Sequence, residues 1–165
     1  ILNKPPYPTT GLATSTFMEI NSATILTALR QGLTTQSVAD THHIASVFAE
    51  ALPVNCTLAL YGDLGSGKTT FIAGLARAWD IHEPVTSPTF AIMNIYQGTR
   101  TLMHIDAYRL TSPSQFDALG IEEWLTPPFC LAIEWPEKVG SCLPQEAWKL
   151  HFTITAEQAH RVELH

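Results

Sequence analysis

The sequence predicts a three-layer α/β fold, in which a largely parallel central sheet lies between helices on both faces. Short apolar runs typical of buried strands alternate with segments of helical periodicity along most of the 165 residues. One such run, at residues 56–61, leads directly into a glycine-rich loop that an amphipathic segment follows. A chain of this length with 45% hydrophobic residues can bury one substantial core.

The chain is predicted to consist of an N-terminal extension, residues 1–32, and a single domain, residues 33–165. Residues 1–20 are rich in Pro and Thr and have no periodicity, so we expect them to be extended or disordered. Asn21-Ser22 then offers an N-cap for a short amphipathic helix within the extension.

The domain is predicted to begin with an extended segment over residues 33–36 and a helix that Pro53 ends. The start of this helix at Ser37-x-x-Asp40 resembles a capping box, although Asp replaces the usual Glu or Gln. The buried strand over residues 56–61 follows. The other predicted elements are a helix over 70–79, hairpin strands over 90–96 and 100–106, a loop and helix over 111–124, and strands over 129–134, 148–155 and 161–164.

The glycine-rich loop, residues 62–70, reads Gly-Asp-Leu-Gly-Ser-Gly-Lys-Thr-Thr and fits the phosphate-binding pattern G-x-x-x-x-G-K-[ST] without a mismatch. Its glycines allow successive N–H groups to point at phosphate oxygens. Lys68 supplies a point charge for the β and γ oxygens, so it is predicted to serve both binding and catalysis. The hydroxyl of Thr69 can ligate Mg²⁺, which prefers oxygen ligands. The pattern predicts a P-loop NTPase-like domain, and its predicted nucleotide-binding residues are Asp63, Leu64, Gly65, Ser66, Gly67, Lys68, Thr69 and Thr70.

Two acidic residues end apolar strands that are predicted to lie beside this loop. Asp106 follows residues 102–105, and Glu134 follows residues 129–133. Hydrolysis of a nucleoside triphosphate needs Mg²⁺ at the phosphates and a group that positions the attacking water. The two acids could divide these tasks, although either could also be a charged residue where a strand reaches solvent.

The absence of two sequence motifs narrows the choice of nucleotide substrate. The chain has no [NT]-K-x-D guanine-recognition motif and no L-S-G-G-Q signature of transporter ATPases, so ATP is the favoured nucleotide. A small-molecule or nucleotide kinase is one alternative, but the nine Lys and Arg residues form no cluster for a second substrate. A nucleotide-dependent adaptor with little turnover is the other alternative.

Charge and cysteine content indicate the partners and the compartment. The net charge of −6 and the lack of any Lys/Arg run argue against direct binding of nucleic acid, so contact with RNA is expected only through a protein partner. No apolar run approaches the length of a membrane span, and the first residues do not resemble a signal peptide. Three cysteines far apart in sequence suggest neither a disulfide framework nor a zinc site, which suits a reducing cytoplasm.

Five sequence blocks resemble, in this order, the TsaE (YjeE) family of small bacterial ATPases. They are residues 62–71, Val85-x-Ser87-Pro88-Thr89-Phe90, His104-x-Asp106-x-Tyr108-Arg109-Leu110, residues 119–123, and residues 133–138. The resemblance extends over residues 37–165, whereas residues 1–32 resemble nothing in the family. A phosphate-binding loop alone is generic, but the five blocks together are specific.

The resemblance implies a role in tRNA modification. Members of the family work in the cytoplasm with two partner proteins, TsaB and TsaD, to install a threonylcarbamoyl group on adenosine 37 of tRNAs that read ANN codons. TsaE hydrolyses ATP, slowly alone and faster with the partners, to reset the complex. The tRNA would then be held by the partners, in agreement with the acidic charge of this chain.

The resemblance also assigns roles around the phosphates. Lys68 and the neighbouring amides are expected to hold the phosphates, and Thr69 and Glu134 are expected to hold Mg²⁺. Asp106 is expected to be the catalytic carboxylate that orients or deprotonates water.

Further residues are expected at the nucleotide through the same resemblance. Trp135 matches a mobile family Trp beside the nucleotide, although it could be a plain core residue. Ser37 and Thr41 match positions near the adenine, although they could simply cap the helix. Arg161 matches a late Arg that approaches the nucleotide, or it is a surface residue. In the family this Arg usually follows Gly, whereas His160 precedes it here.

Overall fold

The computed structural model describes residues 20–88, 91–156 and 158–165. The predictions for residues 1–19, Thr89 and Phe90 therefore lie outside the described residues. The strands are β1 (Leu33–Thr35), β2 (Asn55–Tyr61), β3 (Met93–Tyr96), β4 (Thr101–Asp106), β5 (Phe129–Glu134), β6 (Trp148–Ala156) and β7 (Ala159–Leu164). The α-helices are α1 (Ile25–Gln31), α2 (Val38–Ala51), α3 (Lys68–Ala78) and α4 (Pro113–Asp117). The 3₁₀ helices are Ala107–Arg109, Ile121–Trp124, Pro136–Lys138 and Gly140–Cys142.

All seven strands belong to one sheet, in the order β1-β7-β6-β2-β5-β4-β3. The four central strands, β6, β2, β5 and β4, run parallel, as predicted for the region around the loop. The pairs β3–β4, β6–β7 and β1–β7 are antiparallel. The first two of these pairs are hairpins, and a short hairpin connection can join only antiparallel strands. The parallel arrangement is therefore confined to the centre of the sheet.

The alternation of side chains along the strands divides the core between the two faces of the sheet. On one face Leu58 and Leu60 of β2 are fully buried in a cluster with Phe48 of α2 and Phe71 of α3. On the other face a separate cluster contains Ile133 of β5 and residues of the short helices. The three-layer α/β architecture predicted from the sequence is thus confirmed.

The helix predicted within the N-terminal extension is present as α1 and packs on the domain. Its residues Ile25 and Leu29 are fully buried in the same cluster as α2 and α3. The N-cap is Thr24 rather than the predicted Asn21-Ser22. The Asn21 side chain instead accepts a hydrogen bond of 3.0 Å from the backbone N–H of Ala23, in the turn before the helix.

The segment predicted as a loop and one helix over residues 111–124 contains two shorter elements. Helix α4 has five residues, and a 3₁₀ helix follows it. Gly120 separates them with a φ of +61°, a left-handed conformation that ends α-helical geometry.

The capping box predicted at Ser37 is confirmed, with one difference. The Ser37 hydroxyl accepts a 3.1 Å hydrogen bond from the backbone N–H of Asp40. The Asp40 carboxylate accepts one of 2.9 Å from the N–H of Gln36 rather than from Ser37. The shorter Asp side chain therefore still satisfies a backbone donor ahead of the helix.

Two of the cysteines that are distant in sequence become neighbours in the sheet. Cys56 of β2 lies opposite Cys130 of β5, and both are buried free thiols. Burial raises the pKa of the Cys130 thiol well above its ordinary value. Within the described parts of the chain, no helix combines the length and apolar character needed to cross a membrane.

Candidate nucleotide-binding site

The glycine-rich loop connects the end of β2 to the first turn of α3 and needs glycine for two reasons. Gly62 has a φ of +141°, and a Cβ there would lie 2.4 Å from the backbone oxygen of Phe152. Gly67 has a φ of +100° and is the N-cap of α3. Side chains at these positions would clash or strain the backbone, so the loop could not wrap around a ligand. The loop also ends at the positive pole of α3, which favours anions.

Lys68 lies inside the loop and is only 4% exposed. Its Nζ donates hydrogen bonds of 2.6 and 2.9 Å to the backbone oxygens of Gly62 and Asp63. Burial lowers the pKa of Lys68, while the carboxylates of Glu134 and Asp106 act in the opposite direction. The loop thus holds the ammonium group at its centre, next to the two acids.

Glu134 is buried at the end of β5, and one of its carboxylate oxygens contacts two side chains. Its Oε1 accepts a 2.7 Å hydrogen bond from the hydroxyl of Thr69 and lies 2.9 Å from Nε2 of His104. His104 is fully buried, and its Nδ1 has no hydrogen-bond partner among the described residues. The predicted metal pair, Thr69 and Glu134, is therefore in direct contact.

The side-chain oxygens of Thr69 and Glu134 are ligands of the chemical type that Mg²⁺ prefers. They belong to a hydroxyl and a carboxylate, and Mg²⁺ typically takes one or two protein oxygens while phosphates and waters complete its shell. Among residues 20–88, 91–156 and 158–165, no group of three or more His, Cys, Asp or Glu residues is arranged to hold a metal.

Asp106 stands at the end of β4, directly opposite Glu134 in the parallel ladder. Its Oδ2 accepts a 2.6 Å hydrogen bond from the hydroxyl of Ser87, and its Oδ1 accepts one of 3.1 Å from the backbone N–H of Tyr108. Both oxygens are thus oriented. The carboxyl ends of neighbouring parallel strands meet at one edge of a sheet, and this edge faces the loop.

A cavity of about 450 Å³ lies over the loop, a volume suited to a small-molecule ligand. It brings together every residue predicted for the site except Asp63 and Arg161, and Ser87 also lines it. Asp63 takes part through its backbone oxygen, which accepts from Lys68.

Trp135 lines the cavity and is not a plain core residue. Its indole ring lies over the Lys68 ammonium, with Nζ 4.5 Å from the ring centroid. The ring also contacts Tyr108, with centroids 5.0 Å apart. Trp135 has a φ of +58°, a left-handed conformation that costs a residue other than glycine about 1 to 2 kcal/mol. The strain and the position agree with a role beside a ligand.

Ser37 and Thr41, the residues predicted near the adenine, both line the cavity. Ser37 caps α2, so the plain capping role is present. Thr41 is buried, and its hydroxyl donates a 3.0 Å hydrogen bond to the hydroxyl of Thr35. The contact of these two residues with a nucleotide stays a prediction.

Arg161 lies outside the cavity, contrary to its predicted place. Its guanidinium donates to the backbone oxygen of Gln31 at 2.7 Å and pairs with Glu163 at 3.0 Å. The neighbouring residue His160 lines the cavity instead. Successive residues of a strand point to opposite faces, so only one of the two can reach the loop.

Four further residues that line the cavity had no predicted role, and they are Gln36, Val38, Gln158 and His160. Gln36 and Val38 flank the predicted Ser37, so their place in the chain was a usable signal. Gln158 lies at the turn before β7 and His160 lies in β7, so their place beside the loop depends on the pairing of β7 with β1 and β6.

Comparison with known proteins agrees with this geometry. A family model described as "Threonylcarbamoyl adenosine biosynthesis protein TsaE" matches residues 35–162. The tRNA threonylcarbamoyladenosine biosynthesis protein TsaE of Treponema pallidum is 36% identical over 122 residues, which are 74% of this chain and 90% of that protein. The protein of the same name from Nostoc sp. is 38% identical over 104 residues, which are 60% of this chain and 64% of that protein.

The crystal structure of Bacillus subtilis YdiB matches with a TM-score of 0.67 and 30% sequence identity, covering 81% of this chain and 82% of that one. The sheet, the loop and the structural match agree with a P-loop NTPase-like fold. The family model covers most of the predicted domain and includes all the cavity residues. The chain therefore belongs to the TsaE family of tRNA threonylcarbamoyladenosine biosynthesis proteins.

Proposed function

We propose that this chain is an ATPase that binds Mg-ATP over the glycine-rich loop and hydrolyses it. The observation that carries the proposal is the convergence of Glu134 and Asp106 on the loop. Glu134 contacts the Thr69 hydroxyl at 2.7 Å, and Asp106 is its neighbour across the ladder. A site for binding alone would need only the first of these acids.

The loop and Lys68 would hold the triphosphate. The ammonium group is already placed against the loop carbonyls of Gly62 and Asp63 and can turn to the β and γ oxygens. Thr69 and Glu134 would hold Mg²⁺, whose charge offsets the negative charge that develops on the phosphates.

Asp106 would orient or deprotonate the attacking water. Its two oxygens each accept one hydrogen bond from the protein, from Ser87 and from the N–H of Tyr108. A carboxylate oxygen has two lone pairs, so each can accept another hydrogen bond, one of them from water. Lys68 would stabilise the charge on the transferred phosphoryl group as the bond to the leaving oxygen breaks.

We further propose that the hydrolysis serves threonylcarbamoyl modification of adenosine 37 in tRNAs that read ANN codons, in the cytoplasm and together with TsaB and TsaD. The names of the relatives and the five sequence blocks support this pathway. The net charge of −6 supports partners that hold the tRNA. The sequence of this chain has no run of Lys or Arg that could bind the phosphates of the tRNA.

Phosphate release measured with and without TsaB and TsaD tests the proposal. We expect release from ATP with no added acceptor, faster when both partners are present. Lys68→Ala should abolish it, because the loop loses its only ammonium group. A phosphorylated acceptor would indicate a kinase instead. Nucleotide binding with no release, unchanged by the partners, would indicate an adaptor.

A further inference from the structure

His160 lines the cavity from outside the loop and contacts the backbone of the loop. It lies in β7, where it pairs with Thr35 of β1 and Ile154 of β6. Its Nδ1 is 3.0 Å from the backbone oxygen of Ser66, a loop residue that is 1% exposed. The same ring lies 3.8 Å from the position that a Cβ on Gly67 would occupy.

The chemistry of the contact fixes which atom carries the proton. A carbonyl oxygen can only accept, so Nδ1 of His160 must be the N–H donor to Ser66. In the neutral ring, Nε2 is then the atom with the free lone pair. The contact is therefore a directed hydrogen bond from the strand to the loop.

This hydrogen bond acts on the peptide group between Ser66 and Gly67. In a trans peptide the C=O and the following N–H point in opposite directions. A donor that holds the Ser66 oxygen toward β7 therefore turns the Gly67 N–H away from β7. In a phosphate-binding loop the N–H groups must point inward at the phosphate oxygens.

We propose that His160 is a positioning residue for the phosphate loop, holding the Ser66 carbonyl so that the next N–H faces the phosphates. The inference rests on the proposed nucleotide binding and adds a residue that no sequence motif of the chain predicts. His160 acts through the loop and not through the base or ribose.

Two ligands separate this role from a direct contact with the nucleoside. Inorganic tripolyphosphate carries the phosphates of ATP without adenine or ribose. If His160 orders the loop, His160→Ala should weaken binding of ATP and of tripolyphosphate by the same factor, about three- to tenfold, as loss of one hydrogen bond suggests. At saturating ATP the turnover should change less than the KM, because the chemical groups stay in place.

Two conservative variants test the donor atom. In Asn the amide nitrogen is as many bonds from Cα as Nδ1 is in His, so His160→Asn should restore affinity to within about twofold of the parent chain. In Gln the amide nitrogen is one bond further out, as Nε2 is in His, so His160→Gln should bind as weakly as His160→Ala. Thr153→Ala, on the exposed side of β6 and away from the cavity, is the matched control.

Isothermal titration of each variant with both ligands gives the result, with thermal unfolding as the check on folding. Equal weakening for both ligands, with rescue by Asn only, supports the proposal. Unchanged affinity in His160→Ala, rescue by Gln in place of Asn, or weakening confined to ATP overturns it. If the parent chain binds neither ligand, the proposed nucleotide binding fails as well, so the two failures are distinguishable.

Discussion

The two acids at the carboxyl edge of the sheet differ in what surrounds them, and that difference predicts different defects. Glu134 is buried, and its Oε1 contacts both Thr69 and His104. Asp106 is half-buried, and each of its two oxygens accepts one hydrogen bond from the protein. The first environment suits a fixed ligand, and the second suits a group that must also receive a water.

Asp106→Asn is expected to bind ATP with nearly parental affinity and to release phosphate at least about 100-fold more slowly. The amide keeps the size of the carboxylate but loses its basicity and charge. Equilibrium titration with ATP and a phosphate-release assay measure the two effects separately. Weakened ATP binding with normal turnover would contradict the role assigned to Asp106.

Glu134→Gln is expected to raise the Mg²⁺ concentration needed for half-maximal ATP hydrolysis by about tenfold or more, because the carboxylate that contacts Thr69 is lost. A Mg²⁺ titration at fixed ATP measures the shift. Binding of ADP in the presence of EDTA is the control and should be unchanged, since it needs no metal. An unaltered Mg²⁺ titration would exclude Glu134 as a metal ligand.

At the scale of elements, the contact between α2 and α3 sets the position of the loop. Gly74 of α3 lies so close to α2 that an added Cβ would be 2.6 Å from the Cβ of Ala45 and 2.9 Å from the Cα of His42. The hydroxyl of Ser46 in α2 also lies 3.3 Å from the Gly74 oxygen. The helix that follows the loop is thus packed directly against the backbone of α2.

Gly74→Ala is therefore expected to lower the free energy of unfolding by about 1 to 3 kcal/mol, although Ala favours a helix over Gly by about 1 kcal/mol. Two of the three nearest atoms are backbone atoms of α2 and cannot move aside as a flexible side chain could. Urea unfolding measures the change. A stabilised Gly74→Ala variant would show that the two helices can separate without cost.

The strands were predicted from the sequence with unequal accuracy, for physical reasons. The strand at residues 129–134 was predicted with the bounds that the structure shows, because it is a continuous apolar run with turn residues before it. The last strand was predicted from 161, two residues late, and Arg161, which was predicted near the nucleotide, does not line the cavity. Which of His160 and Arg161 faces the loop depends on the pairing of β7 with β1 and β6, which no local pattern contains.

The candidate site was predicted better than the last strand. The loop and the two acids stand at the ends of strongly apolar strands, and parallel strands bring such ends together. The buried partner of Glu134, His104, appeared in the sequence only as part of a motif. Its role could not be derived, because the contact joins residues 30 positions apart in the chain.

At the scale of the whole molecule, folding is expected to depend on pH through two histidines. Burial first, and then the charge of Arg77, lower the pKa of His42. Burial first, and then His165, lower the pKa of His151. A lowered pKa in the folded state means that the unfolded chain binds protons more readily. Stability should therefore be complete above the ordinary histidine pKa of about 6.5 and fall as the pH drops below it.

The free energy of unfolding in urea at pH 7.5 and at pH 5.5 measures this dependence. We expect the parent chain to be less stable at pH 5.5. His42→Gln should show a smaller difference between the two pH values, because it removes one of the groups that must be protonated. An equal difference in the parent chain and the variant would exclude His42 as a contributor.

The proposed function requires that one loop and two acids form a single Mg-ATP site. A crystal structure of the chain with Mn²⁺ and a non-hydrolysable ATP analogue tests it most directly, because the anomalous signal of Mn²⁺ locates the metal. We expect the metal at about 2 Å from the Thr69 hydroxyl oxygen, with Glu134 in its shell and Asp106 beside the terminal phosphate. A metal remote from Thr69 and Glu134, or a terminal phosphate turned away from Asp106, would contradict it.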